Sequence, residues 1–397
     1  MPGWKGALAR VRGHRHPSSP RLSVIVPVHN VEAFLGECLD SLLGQTYADF
    51  EAIVVLDGPT DGSAAIAERY AARDQRVRVV SQANAGLGAA RNAGVREARG
   101  EYLGFLDADD TLPHDAYAVL VGTIERTGSD QVIGTLERLG GGRRAPMRLM
   151  RLNHRHRREG ISLAEQPLLL ADVFAVNKVF RRAFWGRADL EFPVGIRYED
   201  QPTLTRALIA AERIDVVPET VYFWRIRDDQ SSITQRRHEL SDLVDRVESK
   251  RISTRLVQEA GVVELLDPWF RDILPVDMWE YFRSVPGCSD DYWSAVQGAV
   301  REFWHEGTAR FEETRLPVQQ RLMGWLVEQG RRDDLSVLID FLDTQGEIPV
   351  EQRGDRQVAL LPGVDDPAAG LPPAVYVLGE HEARSAPATG SAPPPKP

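Results

Sequence analysis

The stretch Gly100-Glu101-Tyr102-Leu103-Gly104-Phe105-Leu106-Asp107-Ala108-Asp109-Asp110 begins as a short apolar run and ends on three carboxylates. A run of this length, aromatic and aliphatic and bounded by a glycine, predicts a buried strand over Glu101–Leu106. The same pattern occurs upstream. Leu22–Val28 (LSVIVPV) and Phe50–Leu56 (FEAIVVL) read as strands, the second running into Asp57-Gly58, and Val77–Ser81 (VRVVS) is a third. Between them, Val31, Phe34, Leu35, Cys38, Leu39, Leu42 and Leu43 recur at helical spacing, with Asn30 as a candidate cap. Thr60–Arg73 and the small-residue segment Gly86–Ala98 predict two more helices, and a further helix leads to a strand over Asp130–Leu136. Strands that alternate with helices of about ten to fifteen residues predict an α/β fold. Its sheet would be mostly parallel, with helices on both faces.

In such sheets ligands bind beyond the carboxyl ends of the strands. The strand ends here carry Pro27, His29 and Asn30, then Asp57, then Asn84, then Asp107, Asp109 and Asp110. Converging carboxylates repel unless a cation or hydrogen-bond donors intervene. An oxygen-only set with no cysteine among it favours a hard ion, Mg²⁺ or Mn²⁺, which binds through one or two carboxylates plus substrate phosphates. Two lookalikes fail. Gly86-Leu87-Gly88-Ala89-Ala90-Arg91 starts like a dinucleotide fingerprint, but Arg91 replaces the third glycine and the motif does not follow the first strand. Asp107–Thr111 resembles the start of a calcium loop but lacks its glycine and terminal glutamate.

Composition sets outer bounds. The chain has 397 residues, 43% hydrophobic and 27% charged, with a formal net charge of −10. That length suggests two or three domains at about 100–200 residues each. Two cysteines, Cys38 and Cys288, exclude a disulfide framework and a Cys-rich zinc site. No apolar run reaches the roughly 18 residues of a membrane span. The acidic balance argues against nucleic acid as a partner, although charge can be local. Residues 1–20 are basic, carrying Lys5, Arg10, Arg12 and Arg15 without an acid, and read as a disordered leader. Such a leader could also attach weakly to an anionic membrane face. Residues 362–397 hold nine of the 25 prolines and read as a disordered tail, with Ala374–Gly379 (AVYVLG) as a short strand or docking piece.

The motifs in order resemble the catalytic domain of inverting family 2 glycosyltransferases with the GT-A fold. The pieces are Ser23-Val24-Ile25-Val26-Pro27-Val28-His29-Asn30, Cys38 to Thr46, Asp57-Gly58-Pro59-Thr60-Asp61-Gly62-Ser63, Asn84-Ala85-Gly86, Ala90-Arg91-Asn92-Ala93-Gly94 and Gly100 to Asp110. A looser likeness continues through Asn177-Lys178-Val179-Phe180, Tyr198-Glu199-Asp200 and Tyr222 to Arg227. The resemblance implies a nucleotide-diphosphate sugar donor, usually a UDP-sugar, and displacement with inversion. It implies that Asp57 binds the base, that Asp107 and Ala108 lie on the donor, and that Asp109 with Asp107 holds Mn²⁺ or Mg²⁺. Pro27, His29, Asn30, Glu32 and Asn84 would line the donor pocket, with Arg91 near the phosphates. Two departures stand out: Leu56 replaces the first Asp of a common Asp-Asp-Gly-Ser, and His29 replaces a common Tyr.

An attacking hydroxyl must lose its proton, and a carboxylate in reach is the usual acceptor. The resemblance makes Asp200 the general base, with Glu199 second; read on its own, Asp200 is equally a helix cap before Leu204–Ala211. The acid-free run Arg143–Arg158 reads as a solvated loop or as a track for an anionic acceptor, with Arg155, Arg157 and Arg158 foremost. Trp224, Arg225 and Arg227 would extend it. From Glu239 onward the pattern is helical, and five of the eight tryptophans lie between Trp269 and Trp325, so this part has apolar mass to bury. The expected layout is therefore a leader (1–20), a GT-A domain (21–238), a helical accessory domain (239–361) and a tail (362–397). That layout resembles enzymes that decorate teichoic acids, and implies self-association or acceptor docking through the helices. The function expected is transfer of a hexosyl or N-acetylhexosaminyl unit to a glycan or anionic polymer, in the cytoplasm or at the inner membrane face. Two alternatives stand beside it: a non-catalytic nucleotide-sugar or polymer-binding protein, and a phosphotransferase using a CDP-activated alcohol.

Overall fold

The computed structural model describes residues 19–140, 143–226, 237–360, 371–379 and 382. The leader, apart from its last two residues, therefore lies outside the described residues. Strands β1 (Leu22–Val28), β2 (Phe50–Asp57), β3 (Val77–Gln82) and β4 (Tyr102–Phe105) alternate with helices α1 (Leu35–Leu43), α2 (Ser63–Arg73) and α3 (Leu87–Glu97). Then follow α4 (Ala116–Thr127), β5 (Gln131–Gly140), β6 (Arg143–Pro146), α5 (Arg148–Asn153), β7 (Arg158–Ile161) and β8 (Lys178–Arg181). The sheet-bearing part closes with α6 (Arg182–Arg187), α7 (Asp200–Ala210) and β9 (Ile214–Arg225).

The strand order is β3-β2-β1-β4-β8-β5-β9-β7, with β6 paired to β5. The first four strands are parallel, as alternation predicts. Leu22 stands beside Phe50 and Val28 beside Leu56. Every residue of β1 and β2 is buried, which requires cover on both faces of the sheet. The other half is mixed: β8 runs antiparallel to both β4 and β5, while β5 and β9 are parallel. Only four residues long, β8 leaves too little sequence for periodicity to find.

The helix α1 is not capped by Asn30. Phe34 holds the cap position without a side-chain bond, and Asn30 Oδ1 instead accepts from Thr60 N at 2.8 Å. Small residues let α3 press against the sheet. A Cβ on Gly94 would stand 2.4 Å from Ile25 Cγ2, so only glycine permits this approach.

Past the sheet, α8 (Leu240–Glu259) leads a run of helices over Val263–Pro268, Met278–Phe282, Asp290–Phe303, Val318–Glu328 and Arg332–Gln345. Their core does not stop at residue 238. One apolar cluster joins Ile133, Leu169, Leu170, Leu208, Ile214 and Val216 to Leu243, Trp269, Phe282, Trp304 and Trp325. Within the proline-rich tail, Pro373–Val375 forms one helical turn and Val377 bridges Val358. Arg321 donates to Ala374 O at 2.9 Å and Val377 O at 2.7 Å, fixing this piece on the helices.

Replacing Gly94 with alanine forces α3 away from Ile25. Urea unfolding of that variant should show a loss of about 1–3 kcal/mol against the parent, the usual range for overpacking a filled core.

Candidate functional site

Two groups of polar side chains form where β1 to β4 end. The first surrounds Asp57, the last residue of β2. Its Oδ1 accepts from Gln82 Nε2 at 2.8 Å and from Ala85 N at 2.9 Å, and its Oδ2 accepts from Gly86 N at 2.9 Å. The carboxylate thus organises the turn that starts α3, and three of its roughly four lone-pair positions are taken. Gly58 has φ +57°, and a Cβ there would stand 2.8 Å from Asn84 N, so the β2 end and this turn meet only because the residue is glycine.

His29 Nδ1 lies 2.8 Å from Asp57 O; a carbonyl only accepts, so Nδ1 carries the proton and Nε2 is the acceptor. Asn84 Nδ2, at 3.3 Å, then donates to Nε2. Asn30, at φ 49°, and Glu32 face the second turn: Glu32 Oε2 accepts from Gly62 N at 2.6 Å, and Glu32 N donates to Asp61 Oδ2 at 2.9 Å. Pro27 is buried inside β1. The β1–β4 ladder ends at Ile25 opposite Phe105, so the missing N–H of Pro27 breaks no rung.

The second group surrounds Arg91 on α3. Its guanidinium is buried, 2% exposed. It donates through Nη1 to Glu199 Oε1 at 2.6 Å and through Nη2 to Asp107 Oδ1 at 2.8 Å. Burial opposes the charge, but Asp107 and Glu199 outweigh it and raise the guanidinium pKa. Arg91 is therefore a strut between the β4 end and the start of α7. Gly88, Arg91 and Asn92 lie on one face of α3, by the helical repeat. That face backs the loop before α7: Asn92 Oδ1 accepts from Phe192 N at 2.9 Å, and a Cβ on Gly88 would strike Pro193 O at 2.3 Å.

The three acids after β4 separate by environment. Asp110 is buried; its Oδ2 accepts from Tyr222 OH at 2.6 Å and its Oδ1 from Arg225 N at 2.7 Å. Burial, then Asp109 and Asp107, push its pKa well above the carboxylate range. Asp107 is partly open, at 31% side-chain exposure, and gives Oδ1 to Arg91. Asp109 is half-buried, and its carbonyl accepts from Arg225 Nε at 2.8 Å. Among the described residues no cluster of three or more His, Cys, Asp or Glu forms a cage. With Asp110 occupied by Tyr222 and Arg225, Asp107 and Asp109 are the part-exposed acids after β4, and they could hold an ion as two carboxylates completed by phosphate oxygens and water. That is how Mg²⁺ and Mn²⁺ are usually held.

Glu199 and Asp200 lie on opposite sides of their role. Glu199 is buried and spoken for by Arg91. Burial pushes its pKa up to about 7, with Arg91 pulling back and Asp200 adding to the rise. Asp200 is half-buried and opens α7 as its first residue, so it is not the cap; its Oδ1 accepts from Gln201 N at 2.9 Å. Burial raises its pKa as well.

The basic run Arg143–Arg158 is not a loop. It folds as β6, α5 and β7, and His154 is buried 3.0 Å from Asp172, which also takes Lys178 Nζ at 2.6 Å. Arg157 pairs with Glu219, and Arg158 is exposed opposite Val216 on β9. Arg155 is exposed in the turn before β7. Val216 pairs with Ile133 and Arg225 with Leu139, so Arg158 and Arg225 are six residues apart along β5, about 20 Å at ~3.3 Å each. These three arginines are not brought to the strand ends. Arg225 is, bound to Asp109, Asp110 and Glu37. Beside it, Trp224 packs 6.0 Å from Phe174 with Arg138 over its ring, and Arg144 lies 3.9 Å above Phe223. Arg227 lies outside the described residues. Sequence reasoning missed Gln82 and the phenol of Tyr222, which donates to Asp110 and lies 3.2 Å from Asp107 N; only the Tyr in Tyr222-Phe223-Trp224-Arg225 hinted at it.

Residues 23–185 match the model of Glycosyl transferase family 2. Glycosyltransferase EpsJ of Bacillus subtilis is 38% identical over 222 residues, 54% of this chain and 63% of its own. Poly(ribitol-phosphate) beta-glucosyltransferase of Bacillus spizizenii is 28% identical over 53% of this chain and 33% of its own. The chain thus spans less than two thirds of the length of both. Residues 1–349 of TarS from S. aureus, solved with UDP-GlcNAc, share the fold with a TM-score of 0.55 at 19% identity, over 90% of this chain and 99% of that one. Glycosyltransferase GlyG of Streptococcus pneumoniae is 30% identical over 249 residues, 59% of this chain and 80% of its own. With that relative covered over four fifths of its length and the family model matched, the chain belongs to glycosyl transferase family 2.

Proposed function

We propose that the protein transfers a sugar, with inversion, from a UDP-sugar to a hydroxyl on a glycan or anionic polymer, with Mg²⁺ or Mn²⁺ as cofactor. The observation that carries this reading is the bridge Asp107–Arg91–Glu199, which ties the carboxylates after β4 to Asp200 at the start of α7. Metal-side acids and a candidate base thereby belong to one rigid unit. The UDP-sugar is supported by the fold shared with TarS, solved with UDP-GlcNAc. A polymer acceptor is supported by the likeness to poly(ribitol-phosphate) beta-glucosyltransferase.

In this reading the donor lies across the ends of β1 to β4. The Asp57-organised turn and His29 face its nucleotide, and Asp107 and Asp109 face its diphosphate. The chemistry an ion held by these two carboxylates supplies is neutralisation of the leaving group's growing charge. The acceptor oxygen bonds to the anomeric carbon as the bond to the diphosphate breaks, and its proton passes to Asp200. Glu199 is locked on Arg91, so Asp200 is the carboxylate left to act. Raised proton affinity suits a general base. Arg138, Arg144 and Arg225 supply the positive charge beside the site for an anionic acceptor, in place of Arg155, Arg157 and Arg158. Among the described residues no helix is long and apolar enough to cross a membrane. Peripheral attachment through the basic leader and self-association through the helices belong to the same reading.

A donor screen tests the reaction class. UDP release from a panel of UDP-sugars, dependent on Mn²⁺ or Mg²⁺, is the expected outcome. CDP release would move the protein to phosphotransfer, and release of no nucleotide would make it a binding protein. Asp200→Asn should retain UDP binding by calorimetry and lose about 10²–10⁴-fold in transfer; near-normal turnover removes Asp200 from the role. The base must be unprotonated, and its surroundings favour the protonated form, so activity should rise with pH. The midpoint of the acid limb in kcat/KM should lie above the ~4 of an ordinary carboxylate. An acid limb at or below that value would argue against Asp200.

A further inference from the structure

Tyr198 sits immediately before Glu199 and Asp200 and has φ 61°, a left-handed conformation that bulky side chains rarely adopt. Such strain persists only when the surroundings over-determine it. Here the surroundings are α8 and its neighbours, outside the sheet. We infer that α8 is a positioning element of the active site, in which Asp242, Arg246 and Ser249 hold Tyr198 in this conformation and so fix where Glu199 and Asp200 stand. The inference rests on the function proposed above for Asp200.

The spacing of the three residues, four and then three, puts them on one face of α8. The phenol of Tyr198 is 3.0 Å from both oxygens of Asp242, and Tyr281 OH donates to Asp242 Oδ2 at 2.8 Å. Arg197 reaches Asp242 Oδ1 at 3.2 Å. Ser249 Oγ donates to Tyr198 O at 2.9 Å, and the Arg246 guanidinium lies 3.4 Å from the centre of the Tyr198 ring. Each side of the residue is therefore held: hydroxyl, ring face and carbonyl. Asp242 and Ser249 are fully buried and Arg246 is 7% exposed. An α8 that served only to cover apolar surface would present aliphatic side chains at these positions. Burying a carboxylate, a guanidinium and a hydroxyl there is unfavourable unless each is bonded. On its other side the same turn is held by Arg91 through Glu199. The turn is clamped between α3, which belongs to the sheet, and α8, which belongs to the helices.

The test uses the full-length chain and the change Tyr198→Phe, which removes one hydroxyl and keeps the ring on Arg246. With a UDP-sugar found active in the donor screen, kcat should fall about ten- to a hundred-fold, the scale of a misplaced reacting group. Donor KM and the calorimetric Kd for UDP should stay within about twofold, because Arg91 still holds both Glu199 and Asp107 in this variant. Asp242→Asn, which also loosens Arg197 and Tyr281, should lose at least as much kcat, and the double variant should cost no more than Asp242→Asn alone, since the bond to Tyr198 is then already gone. Hydrogen–deuterium exchange across residues 196–204 should accelerate in Tyr198→Phe while α8 keeps its protection. Unchanged kcat, or additive losses in the double variant, overturns the inference. If the parent turns over no donor, the proposed function fails separately. The exchange measurement then decides: acceleration confined to 196–204 upholds the clamp, and unchanged exchange there removes it.

Discussion

One buried cation joins the two halves of this molecule's chemistry. Arg91 leaves water entirely and meets two carboxylates from parts of the chain 16 and 108 residues away, Asp107 and Glu199. Taking a guanidinium out of water is costly, and the return depends on both partners being present. Removing either acid would leave part of the guanidinium's hydrogen bonding unmet, and removing Arg91 would leave Asp107 and Glu199 without their cation, which costs about 3–5 kcal/mol in comparable pairs. The strut therefore enforces co-location. The metal-side acids cannot be correctly placed unless the loop before α7 is also in place. Gly88 and Asn92 serve the same end, one by having no side chain where Pro193 passes and the other by bonding Phe192.

The parts of the fold that sequence made legible are those where local pattern and tertiary role agree. β1 and β2 are β-branched runs, and both faces are buried, so composition alone marks them. Asp57, Asp107 and Asp109 stand at strand ends, where topology predicts ligands. The rest was hidden for identifiable reasons. β7 and β8 are four residues each, below the length at which periodicity speaks. The resemblance puts Arg91 near the phosphates, and its bond to Glu199 is a further contact that the motif does not carry. Nothing in its neighbours along the chain announces Glu199. The arginines of 143–158 read as one solvated loop or one basic track because linear spacing ignores that β6 and β7 lie at different places on the sheet, with β9 between β7 and β5. The polar face of α8 was invisible for a related reason: along the chain Asp242, Arg246 and Ser249 look like any solvated helix positions, and nothing beside them announces Tyr198.

The strands of the large sheet end before residue 238, one apolar cluster lies wholly within Leu22–Tyr222, and the second crosses residue 238. Leu243 and Trp269 pack in the same cluster as Leu208 and Ile214. The α8 clamp on Tyr198 adds polar bonds to that apolar contact. Sheet and helices thus share both kinds of interaction that define a domain.

That shared core also fixes an order of events during synthesis. Strand β9 ends at Arg225, but Val375, a fully buried member of the second cluster, lies 150 residues further on. At about 5–20 residues per second, a ribosome needs roughly 8–30 s to cover that distance. The helices that cover Leu169, Leu170 and Leu208 arrive early in that interval, with α8 and the chain up to Ile273, but the second cluster stays open until its end. The nascent chain then presents an apolar flank to the cell and to any chaperone that recognises one.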